Sequence, residues 1–214
     1  MRILICSNPS ENFPVIEGKY DLAIVCGICP MFDKKLITWN IVNSVDWIED
    51  KFNPWIRSID SSVKIAFPSF YDHIAEFYGS QLAYYLAAEY IQDETLSVKG
   101  LNIYSMPWSM PYHAIEEKSA FTARSKEFMN VAIESIQENS DIVISNMHSH
   151  ICEGDVLPHM HGDGKLRQKL DSMKKLKLFV HANEACDSEE KDSKKYLTLC
   201  ASQKTIGTST VINM

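Results

Sequence analysis

Short runs of apolar residues recur along the whole chain, separated by polar, charged or turn-forming residues. Eight of these runs have the length and the aliphatic or β-branched character of buried strands. They cover residues 3–6, 22–26, 63–67, 101–104, 141–145, 176–180, 196–200 and 209–212. Several end directly before a glycine, proline, serine or asparagine, which favours a turn after the strand. The pattern predicts a core built from buried strands.

Three segments between these strands have the apolar spacing of helices. Residues 36–59 predict one helix, or two helices separated at Pro54. Residues 114–138 predict an amphipathic helix, because their apolar residues recur near the 3.6-residue period with Glu and Lys between them. Residues 164–175 predict a short basic helix. Alternating strands and helices predict an α/β fold, and the length predicts a single domain over residues 1–214.

Composition and charge exclude several classes of protein. Hydrophobic residues make up 45% of the chain, enough for a full core. The net charge of -7 does not favour a nucleic-acid partner, since phosphate backbones are bound by clustered Lys and Arg. No apolar stretch reaches the roughly 20 residues of a membrane-spanning helix, so no membrane contact is expected. The first residues are typical of a strand rather than a signal peptide, and we expect a cytoplasmic protein.

The residues at the strand ends carry a family resemblance. Ligands of open α/β folds lie beyond the carboxyl ends of strands, so these positions are informative. A strand followed by Asn-Pro-Ser occupies residues 3–10, Tyr-Asp-Leu through Gly-Ile occupies 20–28, and a strand followed by Ser-Phe-Tyr-Asp occupies 64–72. Asp-Ile-Val-Ile-Ser-Asn-Met occupies 141–147, and Lys-Leu-Lys-Leu-Phe-Val-His-Ala-Asn-Glu occupies 175–184. In order and spacing these segments resemble the motifs of calcineurin-like metallophosphoesterases.

Two further segments extend the resemblance over nearly the whole chain. Residues 100–108, Gly-Leu-Asn-Ile-Tyr-Ser-Met-Pro-Trp, are similar to a Gly-Leu-x-Ile-Tyr-Gly-Ser-Pro-Trp segment of one small subfamily. Residues 207–213, Gly-Thr-Ser-Thr-Val-Ile-Asn, are similar to a terminal Gly-Thr-x-x-x-Ile/Val-Asn pattern. The resemblance implies a four-layer α/β/β/α sandwich with two mixed sheets and flanking helices.

The framework of the family matches, whereas the metal ligands mostly do not. The resemblance places the ligand cleft at Asn8, Ser10, Ile28, Phe70, Tyr71, Asn146, His181 and Asn183. Ile28 stands where the family has a metal-bridging aspartate, and isoleucine has no donor atom. Phe70 and Tyr71 stand where the family has a ligand Asn and a proton-donating His. A two-metal site needs several anionic oxygens and imidazoles around its cations, so no cofactor is expected in this cleft.

These substitutions predict a non-catalytic relative that uses the scaffold to bind a protein partner or a small phosphate-bearing ligand. A retromer subunit with this fold, which acts in assembly, is a precedent within the family. The alternative is an active metal-dependent phosphoesterase with a remodelled, mononuclear site for Zn or Mn. Basic residues concentrate in residues 165–177, and they are either a contact for an acidic or phosphate-bearing partner or a solvated helix face.

A histidine-rich loop is the candidate place for such a metal. His148, His150, His159 and His161 form two His-x-His pairs with carboxylates nearby, a pattern that suits zinc. We expect any metal here rather than at the family's bridging position. The alternative is a polar surface loop that happens to be rich in histidine.

Two close pairs of residues offer other chemistry. Cys26 and Cys29 form a Cys-x-x-Cys pair, which is a redox couple, half a zinc site or a chance spacing. Asp72 and His73 form an adjacent acid–base pair or have structural roles. Together with His181, Asp72 and His73 are the candidate catalytic residues.

Overall fold

Ten strands form two five-stranded sheets in the part of the chain that the computed structural model describes. That part comprises residues 1–7, 13–30, 37–110, 120–149, 164–182, 196–200 and 209–214. The strands are β1 (Arg2–Ser7), β2 (Tyr20–Cys26), β3 (Ser61–Phe67), β4 (Glu89–Tyr90), β5 (Thr95–Val98), β6 (Leu101–Met106), β7 (Ile142–Ser145), β8 (Leu178–His181), β9 (Leu197–Cys200) and β10 (Ser209–Asn213). The sheet orders are β10-β1-β2-β3-β4 and β5-β6-β7-β8-β9. Both sheets are mixed, because β10 and β5 pair antiparallel with otherwise parallel strands.

Helices connect the strands. They are α1 (Ile37–Trp47), a π-helical turn (Ile48–Phe52), α2 (Asn53–Ser58), α3 (His73–Tyr78), a 3₁₀ helix (Gly79–Tyr84), α4 (Lys126–Glu134) and α5 (Gly164–Ser172). Within the described ranges, none of these helices has both the length and the apolar character needed to cross a membrane.

Alternate residues of the strands face two different cores. Ile24 of β2 and Ile144 of β7 pack in the same cluster, between the two sheets. Val25 of β2 packs on the other side of its sheet, against α2 and α3, and Val143 of β7 packs against α4 and α5. Both faces of each sheet are therefore covered, which explains the continuous apolar runs in the sequence. The order of layers is helices, sheet, sheet, helices.

All eight predicted strands are present, whereas β4 and β5 were not predicted. β4 has only two residues, which is too short for a recognisable pattern. β5 joins β6 through a two-residue turn, Lys99–Gly100, and both residues have positive φ, 47° and 84°. Type I′ hairpin turns need this conformation and usually have Asn or Asp before the Gly, so the lysine concealed the hairpin.

The prediction of a helix over residues 114–138 is wrong for residues 120–125. These residues are described and are not helical, because α4 begins only after Ser125. Phe121 has a φ of 58°, which a right-handed helix cannot accommodate. The Ser125 hydroxyl caps α4 by accepting a hydrogen bond from the backbone N–H of Phe128, at 3.1 Å. This cap, rather than the apolar spacing upstream, determines where the helix starts.

The other two helix predictions need smaller corrections. The described helical course runs from Ile37 to Ser58 and is not interrupted at Pro54, since the irregular π turn precedes it. Pro54 lies in the first turn of α2, where a missing N–H group is tolerated. The basic helix α5 ends at Ser172, three residues before the predicted end.

Ser125→Ala should lower the free energy of unfolding by about 1 kcal/mol, because an N-terminal N–H of α4 loses its acceptor. Urea unfolding followed by circular dichroism measures the change. Ser80→Ala is the matched control, since Ser80 is exposed in the 3₁₀ helix and does not start an α-helix. An equal loss in both variants would contradict a capping role for Ser125.

Candidate functional site

The carboxyl ends of the parallel strands of both sheets meet at one edge of the molecule. Asn146 directly follows β7 and is fully buried. Its side-chain Nδ2 donates to the carbonyl of Pro68, at 3.0 Å, and to the carbonyl of Pro107, at 2.7 Å. Pro68 follows β3 of the first sheet, and Pro107 follows β6 of the second. The amide therefore joins the two sheets at the edge where α/β folds usually bind ligands.

Two histidines lie in contact beside this amide. The ring centroids of His148 and His181 are 4.2 Å apart, and both residues are buried. Burial lowers the pKa of His181 well below its ordinary value, and the charge of a protonated His148 would lower it further. His181 is therefore neutral at neutral pH. The sequence placed His148 in a separate histidine-rich loop, whereas the structure brings it to the cleft residue His181.

Within the described ranges, the buried Oδ1 of Asn146 and the buried Nδ1 of His181 have no hydrogen-bond partner. Buried polar atoms are nearly always paired in folded proteins, so such exceptions indicate a place for water or a ligand. Asn146, His148 and His181 are thus the described residues that best qualify as a binding site.

Asp72 forms a second buried cluster at the same edge. Its carboxylate accepts hydrogen bonds from the backbone N–H groups of Ile28 at 3.0 Å, Cys29 at 2.7 Å and Ser69 at 2.6 Å, and from the Ser69 hydroxyl at 3.0 Å. Burial raises the pKa of Asp72 to about 6, although these bonds act in the opposite direction. The carboxylate holds the turn after β2 against the turn after β3. His73 begins α3 directly behind it.

Ile28 belongs to the hydrophobic core. Its side chain is fully buried in the cluster between the first sheet and its covering helices. Its backbone is held on both sides, since its N–H donates to Asp72 and its carbonyl accepts from the indole Nε1 of Trp47 at 3.1 Å. An apolar environment does not fit a cation-bridging group, so a dinuclear centre does not fit this position. Within the described ranges, no three His, Cys, Asp or Glu side chains are grouped closely enough to hold a metal ion.

Phe70 and Tyr71 form an aromatic pair in the loop between β3 and α3. Their ring centroids are 4.2 Å apart, and both residues are half-buried. The carbonyl of Phe70 accepts a hydrogen bond from the backbone N–H of Ala120 at 2.8 Å, which anchors the loop. This loop therefore presents a pair of rings at the carboxyl edge of the first sheet.

Six predicted site residues lie outside the described residues. They are Asn8, Ser10, His150, His159, His161 and Asn183. Their assignment to the cleft or to the histidine-rich loop stays a prediction, as do the catalytic roles of Asp72, His73 and His181.

The two cysteines of the Cys-x-x-Cys pair lie in different cores. Cys26 packs between the two sheets, and Cys29 packs on the helix side of the first sheet. Burial raises the pKa of the Cys29 thiol well above its ordinary value. A redox couple or a shared metal needs two thiols on the same side, so this arrangement favours chance spacing.

The basic segment 165–177 is largely neutralised by carboxylates. Its ion pairs are Lys165–Glu134 at 2.6 Å, Arg167–Asp171 at 2.8 Å, Lys169–Glu138 at 3.7 Å and Lys177–Asp141 at 2.8 Å. These partly exposed pairs are typical of a solvated helix face rather than of a phosphate site.

Comparison with known proteins supports the fold and gives no function. A solved crystal structure aligns with 99% of this chain and 94% of its own chain, with a TM-score of 0.68 and 12% sequence identity. Identity this low indicates a shared fold alone. No protein-family model matches the chain, and no curated protein matches it significantly.

Asp72→Asn should change the pH dependence of stability. Burial raises the pKa of Asp72 from 3.8 to about 6, so between these values the native state binds the proton more tightly than the unfolded chain. The contribution of Asp72 is therefore full below pH 3.8 and is lost as the pH rises through about 6. We expect the advantage of the parent protein over Asp72→Asn to shrink by on the order of 3 kcal/mol from about pH 4 to about pH 7.

Urea unfolding of both proteins across this pH range measures the difference directly, because all other titrating groups are shared. An advantage that grows with pH would mean that the four hydrogen bonds outweigh burial and that the folded pKa lies below 3.8.

Proposed function

We propose that this chain is a catalytically degenerate metallophosphoesterase-like protein that acts by binding another molecule and not by hydrolysis. The observation that carries the proposal is Ile28, which is fully buried in the core at the position aligned with the family's bridging aspartate. The two facing mixed sheets and the polar residues at their carboxyl edge support the relation to this family.

The remaining described cleft residues support the loss of two-metal chemistry. Phe70 and Tyr71 contribute rings where the family pattern has polar groups, and the Asn146 amide is used to join the sheets. Asn146 is neutral and compensates the charge of a divalent cation poorly. Of the aligned ligand positions that the structure describes, only His181 retains the family's residue type.

A protein partner is the favoured occupant, and a small phosphate-bearing ligand is the alternative. Phosphate is usually held by Arg or Lys side chains or by converging N–H groups. None of the cleft residues aligned above is a lysine or arginine, and four of the six basic residues in segment 165–177 pair with carboxylates. Titration with inorganic phosphate, followed by the NMR signals of Asn146 and His181, tests the alternative.

The purified protein should not hydrolyse bis-p-nitrophenyl phosphate in the presence of Mn²⁺, because the bridging position offers no donor atom to a cation. The release of p-nitrophenol measures activity, and His181→Ala provides the background from any contaminating hydrolase. An active calcineurin-like phosphodiesterase assayed in parallel shows that the conditions support turnover. Robust turnover that disappears in His181→Ala would overturn the proposal.

A second candidate function is a phosphoesterase with a remodelled, mononuclear metal site. The contact between His148 and His181 beside Asn146 favours it, because two polar atoms of this cluster have no described partner. Neutral imidazole nitrogens and amide oxygens are ligands for Zn or Mn. These three residues would hold the ion, which would act as a Lewis acid when bound.

The second candidate predicts that the parent protein binds about one equivalent of zinc by calorimetric titration. His148→Ala and His181→Ala should each lose this binding, because each removes an imidazole from the cluster. His73→Ala is the matched control, since His73 lies at the start of α3 and its variant should bind like the parent. Absence of zinc and manganese binding by the parent would eliminate this candidate.

A further inference from the structure

Three aromatic side chains form a row of ring contacts on the helix layer, and an exposed fourth, Tyr84, directly precedes one of them in the chain. Phe77 of α3 is 68% exposed, Tyr84 of the 3₁₀ helix is 90% exposed, and Tyr85 is 41% exposed. Tyr78 lies between them, with its ring centroid 5.2 Å from that of Phe77 and 5.5 Å from that of Tyr85. We call these four residues the aromatic surface. Exposed groups of large apolar side chains are uncommon and mark sites of interaction.

The backbone beneath this surface is firmly held. Asn53 of α2 is nearly fully buried, and its side chain donates to the carbonyl of Tyr85 and accepts from the N–H of Ala87, both at 2.7 Å. Leu82, fully buried, anchors the 3₁₀ helix in the core and accepts a hydrogen bond from the N–H of Tyr85 at 3.0 Å. The rings are therefore exposed on a fixed support and not on a loose segment.

The sequence around the aromatic surface is acidic. Residues 65–98 contain no lysine or arginine and five acidic residues, Asp72, Glu76, Glu89, Asp93 and Glu94. Glu76 directly precedes Phe77 on α3, and Glu89 lies on β4, which packs against the 3₁₀ helix. Both glutamates are exposed.

The neighbouring helix adds further negative charge. Glu49 and Asp50 are exposed and lie one helical turn before Asn53, the residue that holds Tyr85. Among the described residues of these segments, the cations are Lys51 on the same turn, Arg57 one turn after Asn53, and Arg124. Glu76 is exposed as a residue, but partial burial of its carboxyl group raises its pKa, and a hydrogen bond from the Phe121 backbone and the positive charge of Arg124 partly offset this. Four carboxylates, of Glu49, Asp50, Glu76 and Glu89, against these three cations leave the described segments around the aromatic surface negative.

We propose that the aromatic surface docks a cationic segment of a protein partner, with lysine or arginine side chains lying over its rings and extending to the carboxylates of Glu76 and Glu89. The inference rests on the proposed binding function and names the class of partner. A second copy of this chain is a poor occupant, because a two-fold contact would oppose the same acidic groups. Nucleic acids and anionic membranes are poor occupants for the same electrostatic reason.

A phage-displayed library of random dodecapeptides, selected on the immobilised full-length protein, provides the probe. The library is first depleted on the double variant Phe77→Ala/Tyr84→Ala, which removes two exposed rings. We expect the retained peptides to be rich in Lys and Arg with apolar residues between them. Retained peptides that are acidic or neutral, or no peptides that distinguish parent from variant, would overturn the inference.

The best synthetic peptide is then titrated against single variants by fluorescence anisotropy. Tyr84→Ala should weaken binding by roughly tenfold or more, as loss of an aromatic hot-spot contact does. Tyr84→Lys should weaken it further, since it places a like charge against the peptide. Val131→Ala is the control, because Val131 is 62% exposed on α4 of the opposite helix layer. Equal effects of Val131→Ala and Tyr84→Ala would overturn the inference.

A separate variant tests the contribution of negative charge to peptide binding. Glu76→Gln/Glu89→Gln should weaken peptide binding and reduce its dependence on salt, because two carboxylates no longer attract the peptide. An unchanged salt dependence would contradict the charge argument. None of these measurements involves hydrolysis. An active hydrolase that still selects cationic peptides would therefore overturn the proposed function alone, whereas an inactive protein that selects none would overturn this inference alone.

Discussion

The apolar contact between the two sheets is the interaction on which the rest of the structure depends. Ile5 and Ile24 of the first sheet and Ile144 and Val180 of the second are fully or almost fully buried in one cluster. Burying a side chain of this kind contributes roughly 1.5–3 kcal/mol relative to leaving it exposed. The packing brings the carboxyl ends of both sets of parallel strands to one edge, where the Asn146 amide joins them. Without this alignment the turns after β2, β3, β7 and β8 would not form a common site.

Under the proposed function, this edge would keep its fold without metal chemistry. Asp72 holds the turns after β2 and β3 through hydrogen bonds to backbone N–H groups and to Ser69, and none of these requires a bound ion. These bonds use the backbone at position 28, so the turn does not depend on a polar side chain there. Ile28 adds to the core beneath the helices. The stability of the turn is thus compatible with an apolar residue at this position.

The fold could be largely predicted from the sequence because the central strands are buried on both faces. Continuous apolar runs then mark the strands without ambiguity. The hairpin at Lys99–Gly100 was missed because the signal for a type I′ turn lies in backbone conformation, and lysine rarely adopts it. The start of α4 was predicted too early for a similar reason. Phe121 fits the helical spacing of apolar residues, and yet it adopts a positive φ.

The candidate-site residues that end or directly follow a strand could be predicted from the sequence, and the others could not. Asn146 and His181 follow or end strands, so their meeting was expected. His148 lies beyond a turn, and its contact with His181 depends on a loop path that spacing does not determine. The separation of Cys26 from Cys29 depends likewise on the turn after β2. The aromatic surface was missed because Phe and Tyr in a helix usually indicate a core face.

The paired hydrogen bonds of Asn53 fix the backbone beneath Tyr85 before any partner arrives. Ordering a loop and its side chains on association commonly costs about 0.5–1.5 kcal/mol per immobilised side chain. Where the backbone is already ordered in the free protein, the free energy of ordering it is part of folding and does not reduce the affinity for a partner. In the proposed complex, association would need no rearrangement of this backbone, and differences among related partners would lie mainly in how fast each complex dissociates. The buried amide of Asn53 would then lengthen the lifetime of the complex through the rigidity of the surface above it, without touching the partner.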